Sequence, residues 1–528
     1  MEPGRGLRTQ RAVGLYKMGL ERANSNPEAS GKPAKGEERY AGLAVGPVNS
    51  RGVMLAMRHE SNPGHSKGPA MNAVGAGSTM PYEEMAEKVE AKLLQLAELA
   101  KERPHHKYTT LAFLLNEGFL ARCFRSLGRD RAPGDDGETW EEYERGLAGN
   151  LRKLVNRMKN KQYQPQPVRR VYIPKDEHSQ RPLGIPATED KIVQKGVSRV
   201  LEAIYEPDFL DCSYGFRPGR SCHDALGAMN RVIERSPINH VVEADIKGFF
   251  DNVSHEWMMA FLGERIKDPS FLLIIERFLK AGYKDSGLLV ATEKGTPQGG
   301  NLSPLLANIF LHYVLDLWFE KAVKPKLSGE SHLIRYADDF VILVRYQEDA
   351  ARIVDLLRER FQKFGLELHP DKTRVLSFGR FERQNAEQQG RKPNTFTFLG
   401  ITHYCEVNRW GGFVVGHRTS GKRFRNKCKD FREWIKENRN KHSLAELWKV
   451  ASTKLLGHFQ YYGVSGNFCG IRRFYMSALR SLFKWLNRRS QRKSWNWTGF
   501  CRMVKRYPLS KPQIIHNLYA LPGFGYVR

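Results

Sequence analysis

Apolar and polar positions alternate along this chain in a way that changes character several times. Up to about Met80 the sequence is rich in Gly, Pro, Ser and Asn with little periodicity, which predicts a mobile leader over residues 1–80. From Pro81 the apolar residues recur every three or four positions. That spacing predicts a helix over Tyr82–Leu99, with acids early and lysines late, and further helices over Leu111–Leu127 and Thr139–Lys159. Strands begin at Val168–Ile173. Beyond them, short β-rich runs (Val241–Ala244, Leu333–Tyr336, Phe340–Val344, Thr395–Phe398) alternate with helical stretches (Lys191–Tyr205, Phe271–Ala281, Pro304–Lys324, Ala350–Phe364). This alternation implies an α+β unit built around antiparallel hairpins. After Lys422 the pattern is helical to about Asn487, and a short unit from Trp495 onward carries Pro508, Pro512 and Pro522.

Charge changes the picture. The 528 residues carry a formal net charge of +28, but the segment from Gly411 to Arg528 holds 25 Lys or Arg against 4 Asp or Glu, a net of +21. No acid follows Glu446. Aromatics are interleaved with these cations, among them Tyr461, Tyr462, Phe474, Tyr475, Phe483, Trp485, Trp495, Trp497 and Phe500. Cations for phosphates and rings for bases are what a nucleic-acid surface needs, although Tyr475, Leu479, Leu482 and Leu486 keep helical spacing and read as core. Ordinary solvated faces mix both signs. The seven cysteines are scattered with no close pair, which suits free thiols in a reducing cytoplasm and argues against a structural zinc site. No apolar run has the length of a membrane span and the start lacks a secretory apolar core, so no membrane partner is expected.

The candidate chemistry lies in Ile334-Arg335-Tyr336-Ala337-Asp338-Asp339-Phe340-Val341-Ile342-Leu343, where two adjacent acids sit between two β-forming runs. A third acid, Asp245, ends the run Val241–Ala244 and is followed by Ile246-Lys247-Gly248-Phe249-Phe250. If the two strands are neighbours, the three carboxylates converge. An isolated Asp-Asp pair is ordinarily a solvated turn. Three converging acids suit two hard divalent cations about 3.5–4 Å apart, the arrangement that nucleotidyl transfer uses.

A series of further blocks surrounds these acids. In order they are Gly134-Asp135-Asp136-Gly137, the stretch from Tyr163 to Lys175, Arg181-Pro182-Leu183-Gly184-Ile185-Pro186, Tyr214-Gly215-Phe216-Arg217-Pro218-Gly219-Arg220, the Asp245 block, Gly295-Thr296-Pro297-Gln298-Gly299-Gly300, the Tyr336 block, Gly365-Leu366-Glu367-Leu368 with Lys372, and Phe398-Leu399-Gly400. Their order, from about Gly134 to about Asn467, resembles the reverse transcriptases encoded by group II introns. The resemblance implies an α+β right-hand polymerase, with fingers and palm over 81–408, a helical thumb or maturase domain over 409–490 and a short basic nucleic-acid-binding segment over 491–528. Asp245, Ile246, Asp338 and Asp339 are then the metal site, for two Mg²⁺ with Mn²⁺ as a possible substitute, and Lys372 is the general acid for departing pyrophosphate.

By the same resemblance Lys175 and Arg181 hold the triphosphate, Phe250 stands beneath the sugar and rejects a 2′-hydroxyl, and Gln298 lies against the nucleotide. Arg217 and Arg220 are assigned to nucleic acid, as holders of template phosphates, with the structuring of their own turn as the alternative. Phe398, Leu399 and Gly400 form a primer-gripping turn, and His458 with Arg472 and Arg473 lies in a segment that binds intron RNA. The expected partners are group II intron RNA, an RNA template with DNA primer, target DNA and deoxynucleoside triphosphates. The expected function is RNA-directed DNA synthesis together with intron splicing and retrotransposition, in a bacterial cytoplasm or an organelle. Many relatives carry a cysteine-paired endonuclease after the thumb. This sequence is expected to lack it, so mobility would need a borrowed primer. Two alternatives stay open: a domesticated reverse transcriptase in host defence or repair, and a splicing-only maturase, whose usual mark is loss of the metal carboxylates.

Overall fold

The computed structural model describes residues 82–174, 180–296, 298–491 and 494–519. The predicted leader over 1–80 and Lys175 with most of the turn after it lie outside these residues. Strands β1 (Val168–Pro174), β2 (Gln180–Ile185), β3 (His240–Ala244), β4 (Tyr283–Asp285), β5 (Leu288–Val290), β6 (Ser331–Tyr336), β7 (Asp339–Val344), β8 (Arg374–Ser377), β9 (Thr395–Phe398), β10 (Ile401–Val407) and β11 (Phe413–Thr419) form three sheets among them. Helices fill the connections, so the architecture is the mixed α+β expected.

The N-terminal helices were predicted in the right places but not with the right breaks. Tyr82–Glu102 is one helix, tied by Glu90 to both terminal nitrogens of Arg199 at 2.6 and 2.5 Å. The stretch from Leu111 opens as a short 3₁₀ turn and becomes α-helical at Glu117, where Asn116 Oδ1 accepts the Phe119 amide at 2.9 Å. Thr139–Lys159 divides into Trp140–Arg145 and Leu147–Lys159. Gly146 sits at the break: without a Cβ it weakens a helix interior, while the Thr139–Glu142 capping box starts the first piece.

The sheet that matters for chemistry runs β6-β7-β3-β8, all neighbours antiparallel. Its strands are apolar on both faces, with Val241, Val242, Val341, Ile342 and Leu343 all buried. Each face is therefore covered. Helix Gln347–Lys363 closes one, with Phe361 against Phe340, and helix Cys222–Arg235 packs on the other through Ala225, Leu226 and Met229. The helix predicted over Pro304–Lys324 is α-helical only across Ser303–Leu311, then widens into π turns over His312–Asp316 and Phe319–Val323. That wide turn carries Asp316 inward to Arg335.

A second sheet, β2-β1-β4-β5, pairs β1 antiparallel with β2 and parallel with β4. The third, β11-β10-β9, leads into helices Gly421–Asn438, Leu444–Tyr462, Phe468–Leu486 and Trp497–Arg506. Here the structure differs from the boundaries read off the sequence. The β10–β11 hairpin straddles residue 408, and one apolar core runs from Ile334, Val341 and Phe396 through Val415, Phe431 and Leu455 to Phe500 and Leu518. The helices complete the core of the sheet instead of standing apart from it. The segment after 490 is part of the same body, because Phe500 is fully buried against Phe483, Trp495 and Trp497.

Candidate active site

The catalytic candidates follow from strand register. Strands β6 and β7 pair Tyr336 with Asp339, leaving Ala337 and Asp338 as a two-residue turn. Ala337 takes φ +56°, the positive value that tight hairpin turns require at their first central position. β3 pairs with β7 through Ala244 opposite Phe340. Continuing that register by one residue sets Asp245 against Asp339, with Asp338 beside them. The sequence condition for convergence, that the two strands be neighbours, is met.

Electrostatics bear the marks of crowded acids. Asp339 reaches solvent at the end of its strand, yet partial desolvation by the protein around it, and then the charges of Asp338 and Asp245, push its carboxyl above the usual carboxylate range, while Lys372 and Arg423 oppose the shift. The Lys372 ammonium donates to Asp245 Oδ2. Lys372 is held there by a turn whose His369 amide donates to the Asp245 carbonyl at 2.8 Å, next to the single bridge between Ile246 and Leu368. The Ile246 side chain is buried, so only its backbone faces this end of the sheet. Among the described residues no three potential ligands are already gathered around one point as a finished metal cage. The donor set nevertheless suits a hard divalent cation: all carboxylate oxygen, mutually repelling, with a lysine drawn onto one member.

Beneath the turn lies a residue that sequence reasoning did not single out. Arg335 is fully buried, and all five of its N–H groups have acceptors: Asp316 Oδ1 and Oδ2 at 2.7 and 2.5 Å, Asn308 Oδ1 at 3.0 Å, Ser213 Oγ at 2.7 Å and the Ala337 carbonyl at 3.0 Å. Asn308 also donates to the Gly215 carbonyl at 2.7 Å. The turn that bears Asp338 is thus tied from inside to the Ser213–Gly215 loop and to the π turn. A signal was present, since an arginine inside an apolar strand and Asp316 inside an apolar helix each demand a partner.

The nucleotide-side candidates come together on another wall. The Phe250 carbonyl accepts the Thr296 amide at 2.7 Å, and the Gln298 carbonyl accepts the Gly184 amide at 2.6 Å. A Cβ on Gly299 would lie 2.6 Å from the Gly184 carbonyl, so that glycine lets the loop close on β2, where exposed Arg181 pairs across from Ile173. Phe249 is core and Phe250 is partly exposed.

Two expected nucleic-acid contacts lie inside. Arg217 is buried; its Nε donates to both Glu206 oxygens at 3.0 and 3.1 Å and its Nη1 to the carbonyls of Leu210 and Ser213 at 2.8 Å, which leaves no fork for a phosphate. His458 is also buried, stacked on Phe474 at 3.7 Å, and burial pushes its imidazole down to about 3. Arg220 remains at the rim, paired with Asp211 at 2.6 Å. Phe398 is core, whereas Leu399 and Gly400 form a turn at φ +49° and +76°, whose Leu399 carbonyl accepts the Tyr461 hydroxyl at 2.9 Å. Arg472 and Arg473 are exposed on helix Phe468–Leu486. At the other end of that helix the chain gathers cations around one ring: Lys436, Arg439, Lys484 and Arg488 all lie 5.1–6.0 Å from the centre of Trp485.

Residues 173–403 match the family described as reverse transcriptase (RNA-dependent DNA polymerase). The group II intron-encoded protein LtrA of Lactococcus lactis subsp. cremoris is 49% identical over 182 residues, 34% of this chain and 30% of that protein. Protein YkfC of Escherichia coli is 35% identical over 288 residues, which cover 48% of this chain and 75% of that protein. A protein in the cob intron of Schizosaccharomyces pombe is 42% identical over 193 residues, 35% and 24% of the two chains. The chain therefore spans under a third of the length of the Lactococcus relative, though three quarters of the Escherichia one. By its sheet, its carboxylates and these relatives, the chain belongs to the group II intron-encoded reverse transcriptases.

Proposed function

We propose that this protein is an RNA-directed DNA polymerase that also binds group II intron RNA to assist its splicing and mobility. The observation that carries the polymerase reading is the register that sets Asp245 against Asp339 with Asp338 in the intervening turn. Asp245, Asp338, Asp339 and the Ile246 carbonyl would hold two Mg²⁺ ions, for which Mn²⁺ could substitute. Bound there, such ions supply Lewis acidity toward the primer 3′-hydroxyl and charge neutralisation at the leaving pyrophosphate.

The remaining roles belong to the chain's own groups. Phe250 occupies the floor under the sugar, where its ring excludes a 2′-hydroxyl and so favours deoxynucleotides. Arg181, with Lys175, takes the triphosphate, and Gln298, whose carbonyl is bonded to Gly184 on the same strand as Arg181, lines the nucleotide beside them. Lys372, one salt bridge from Asp245, is the general acid for pyrophosphate. Leu399 and Gly400 steady the primer. The helices after Ser420 serve as thumb and maturase surface. Their acid-poor face, centred on the cations around Trp485, supplies the intron RNA contact, joined by Arg472, Arg473 and Arg220.

The test is extension of a DNA primer on an RNA template, run beside a gel shift with structured intron RNA. Asp338→Asn should abolish Mg²⁺-dependent synthesis and leave RNA binding intact. Substantial synthesis by the folded variant would remove the metal assignment. Intact synthesis by wild type with no preference for intron RNA would instead favour a polymerase with a host role.

A further inference from the structure

Phe216 departs from what a bulky side chain ordinarily does. Its backbone takes φ +57°, a region where a residue with a large side chain is a genuine outlier, yet its ring is 50% exposed. Burying the ring does not repay the conformational cost. Surrounding structure holds it there instead. On one side Gly215 presses so closely on the turn that a Cβ there would collide with the Ala337 backbone, and its carbonyl is fixed by Asn308 at 2.7 Å. On the other side the buried Arg217 is clamped to Glu206 and to the Leu210 and Ser213 carbonyls. The loop runs along the outer edge of β6, where the Tyr214 amide donates to the Arg335 carbonyl at 2.9 Å. As a result the Phe216 ring stands 6.4 Å from that of Tyr336, the residue paired with Asp339 in the hairpin.

We propose that Phe216, with Tyr336 beside it, is a contact platform for the nucleoside rings of the primer–template duplex just behind its reacting end. The proposal rests on the polymerase reading above. An exposed ring held rigidly beside catalytic carboxylates loses little freedom when it contacts a base or sugar, and such contacts tolerate any sequence because every nucleoside presents an apolar face. The occupant follows from position, since Tyr336 is paired with Asp339 and the exposed Phe216 ring lies beside it, next to where a nucleic acid end meets Asp338 and Asp339. Phe216 holds the duplex and takes no part in bond making.

The experiment compares Phe216→Ala, Phe216→Gly and Phe216→Tyr with wild type. Fluorescence anisotropy gives the Kd of a labelled primer–template, and steady-state extension separates KM from kcat. Loss of one ring contact should raise the Kd of the duplex by roughly five- to a hundredfold in the Ala and Gly variants alike. Tyr should retain wild-type affinity. The slope of log Kd against log salt should stay unchanged, because an apolar contact releases no counterions.

Glycine is the discriminating variant, for it tolerates φ +57° without strain. If Gly restores wild-type affinity while Ala does not, the residue matters only to the loop, and the proposal is overturned. Unchanged Kd in both variants overturns it equally. A wild-type protein that binds the duplex in a Phe216-dependent way yet extends no primer would leave this inference standing and defeat the polymerase reading.

Discussion

Removing the Arg335 side chain should separate two things the structure couples, fold stability and placement of the Ala337–Asp338 turn. Arg335→Met deletes five hydrogen bonds and leaves the Asp316 carboxylate buried without its counter-charge. Breaking a buried ion pair from one side costs about 3–5 kcal/mol, since the desolvated partner remains. Arg335→Met combined with Asp316→Leu removes that orphan. An apolar pair of similar volume in place of a buried ion pair is often neutral or better, so the double variant should return to within about 2 kcal/mol of wild type.

Its activity should not return. In both variants the Ala337 carbonyl has lost the donor that holds it at 3.0 Å, and Ser213 and Asn308 have lost their link to the turn. A misplacement of about 1 Å in reacting groups can cost about a hundredfold in rate, and single-turnover extension should fall on that scale in both. The assays are the urea midpoint and the rate of one nucleotide addition at saturating primer–template. A double variant that recovers stability and full rate together would refute the idea that Arg335 positions Asp338.

Three further outcomes follow from the same geometry. Phe250→Val should admit ribonucleotides by opening the floor beneath C2′, raising the ribo-to-deoxynucleotide ratio of kcat/KM; an unchanged ratio with full activity would make Phe250 core. Neutralising Arg439 and Arg488 to Gln should weaken binding of structured RNA and lower the salt slope by about one to two, at roughly 0.7–0.9 per phosphate contact; Arg472→Ala with Arg473→Ala should act likewise, and equal slopes would make these cations a merely solvated face. His458 is held neutral in the fold, with its pKa pushed down to about 3, whereas an unfolded chain takes up a proton below about 6.5. Its contribution is therefore complete above pH 6.5 and is lost as pH falls toward 3, by about 2 kcal/mol at pH 5. His458→Phe should be more stable than wild type at pH 5 and about equal at pH 8, and urea midpoints at the two pH values would show it.

Truncation after Trp410 would have tested the RNA surface if the helices formed a separate unit. The shared core argues against that experiment, since Val415, Phe431 and Leu455 pack into one cluster with Val341 and Ile334. Cutting there exposes the back of the sheet that carries Asp339. Point changes on the basic face probe the same surface without that damage.

The convergence of Asp245, Asp338 and Asp339 was legible in the sequence because each acid ends or divides a short β-forming run, so pairing of those runs brings all three to one end of the sheet. Fates of single polar side chains were less so. Arg217 and His458 both stand in motifs that suggest nucleic acid, but nothing local to either says whether its hydrogen bonds go to solvent, to phosphate or, as for Arg217, to carbonyls of its own loop. The helix break at Gly146 has a local cause in that glycine, which apolar periodicity does not register, whereas the widening after Leu311 depends on what the segment packs against.

Backbone strain is the part least available to sequence. Among the described residues, the non-glycine positions with positive φ are Lys161, Phe216, Ser286, Ala337 and Leu399. Lys161 and Ser286 lie in exposed turns, where water and a short loop relieve the cost. The other three belong to the turn that bears Asp338, the loop beside it and the Leu399–Gly400 turn. Each is a residue with a Cβ where glycine would be easier, kept in place by Arg335, by Asn308 acting through Gly215, or by Tyr461. For Phe216 and Leu399 the holding hydrogen bonds come from remote segments, which no window of sequence around them reports, whereas Ala337 follows from its two-residue hairpin and from Arg335 two positions before it. Because the Phe216 ring is half exposed and Ala337 has only a methyl to lose, Phe216→Gly and Ala337→Gly should leave stability equal or higher while extension slows, whereas Leu399→Gly also gives up packing against the core.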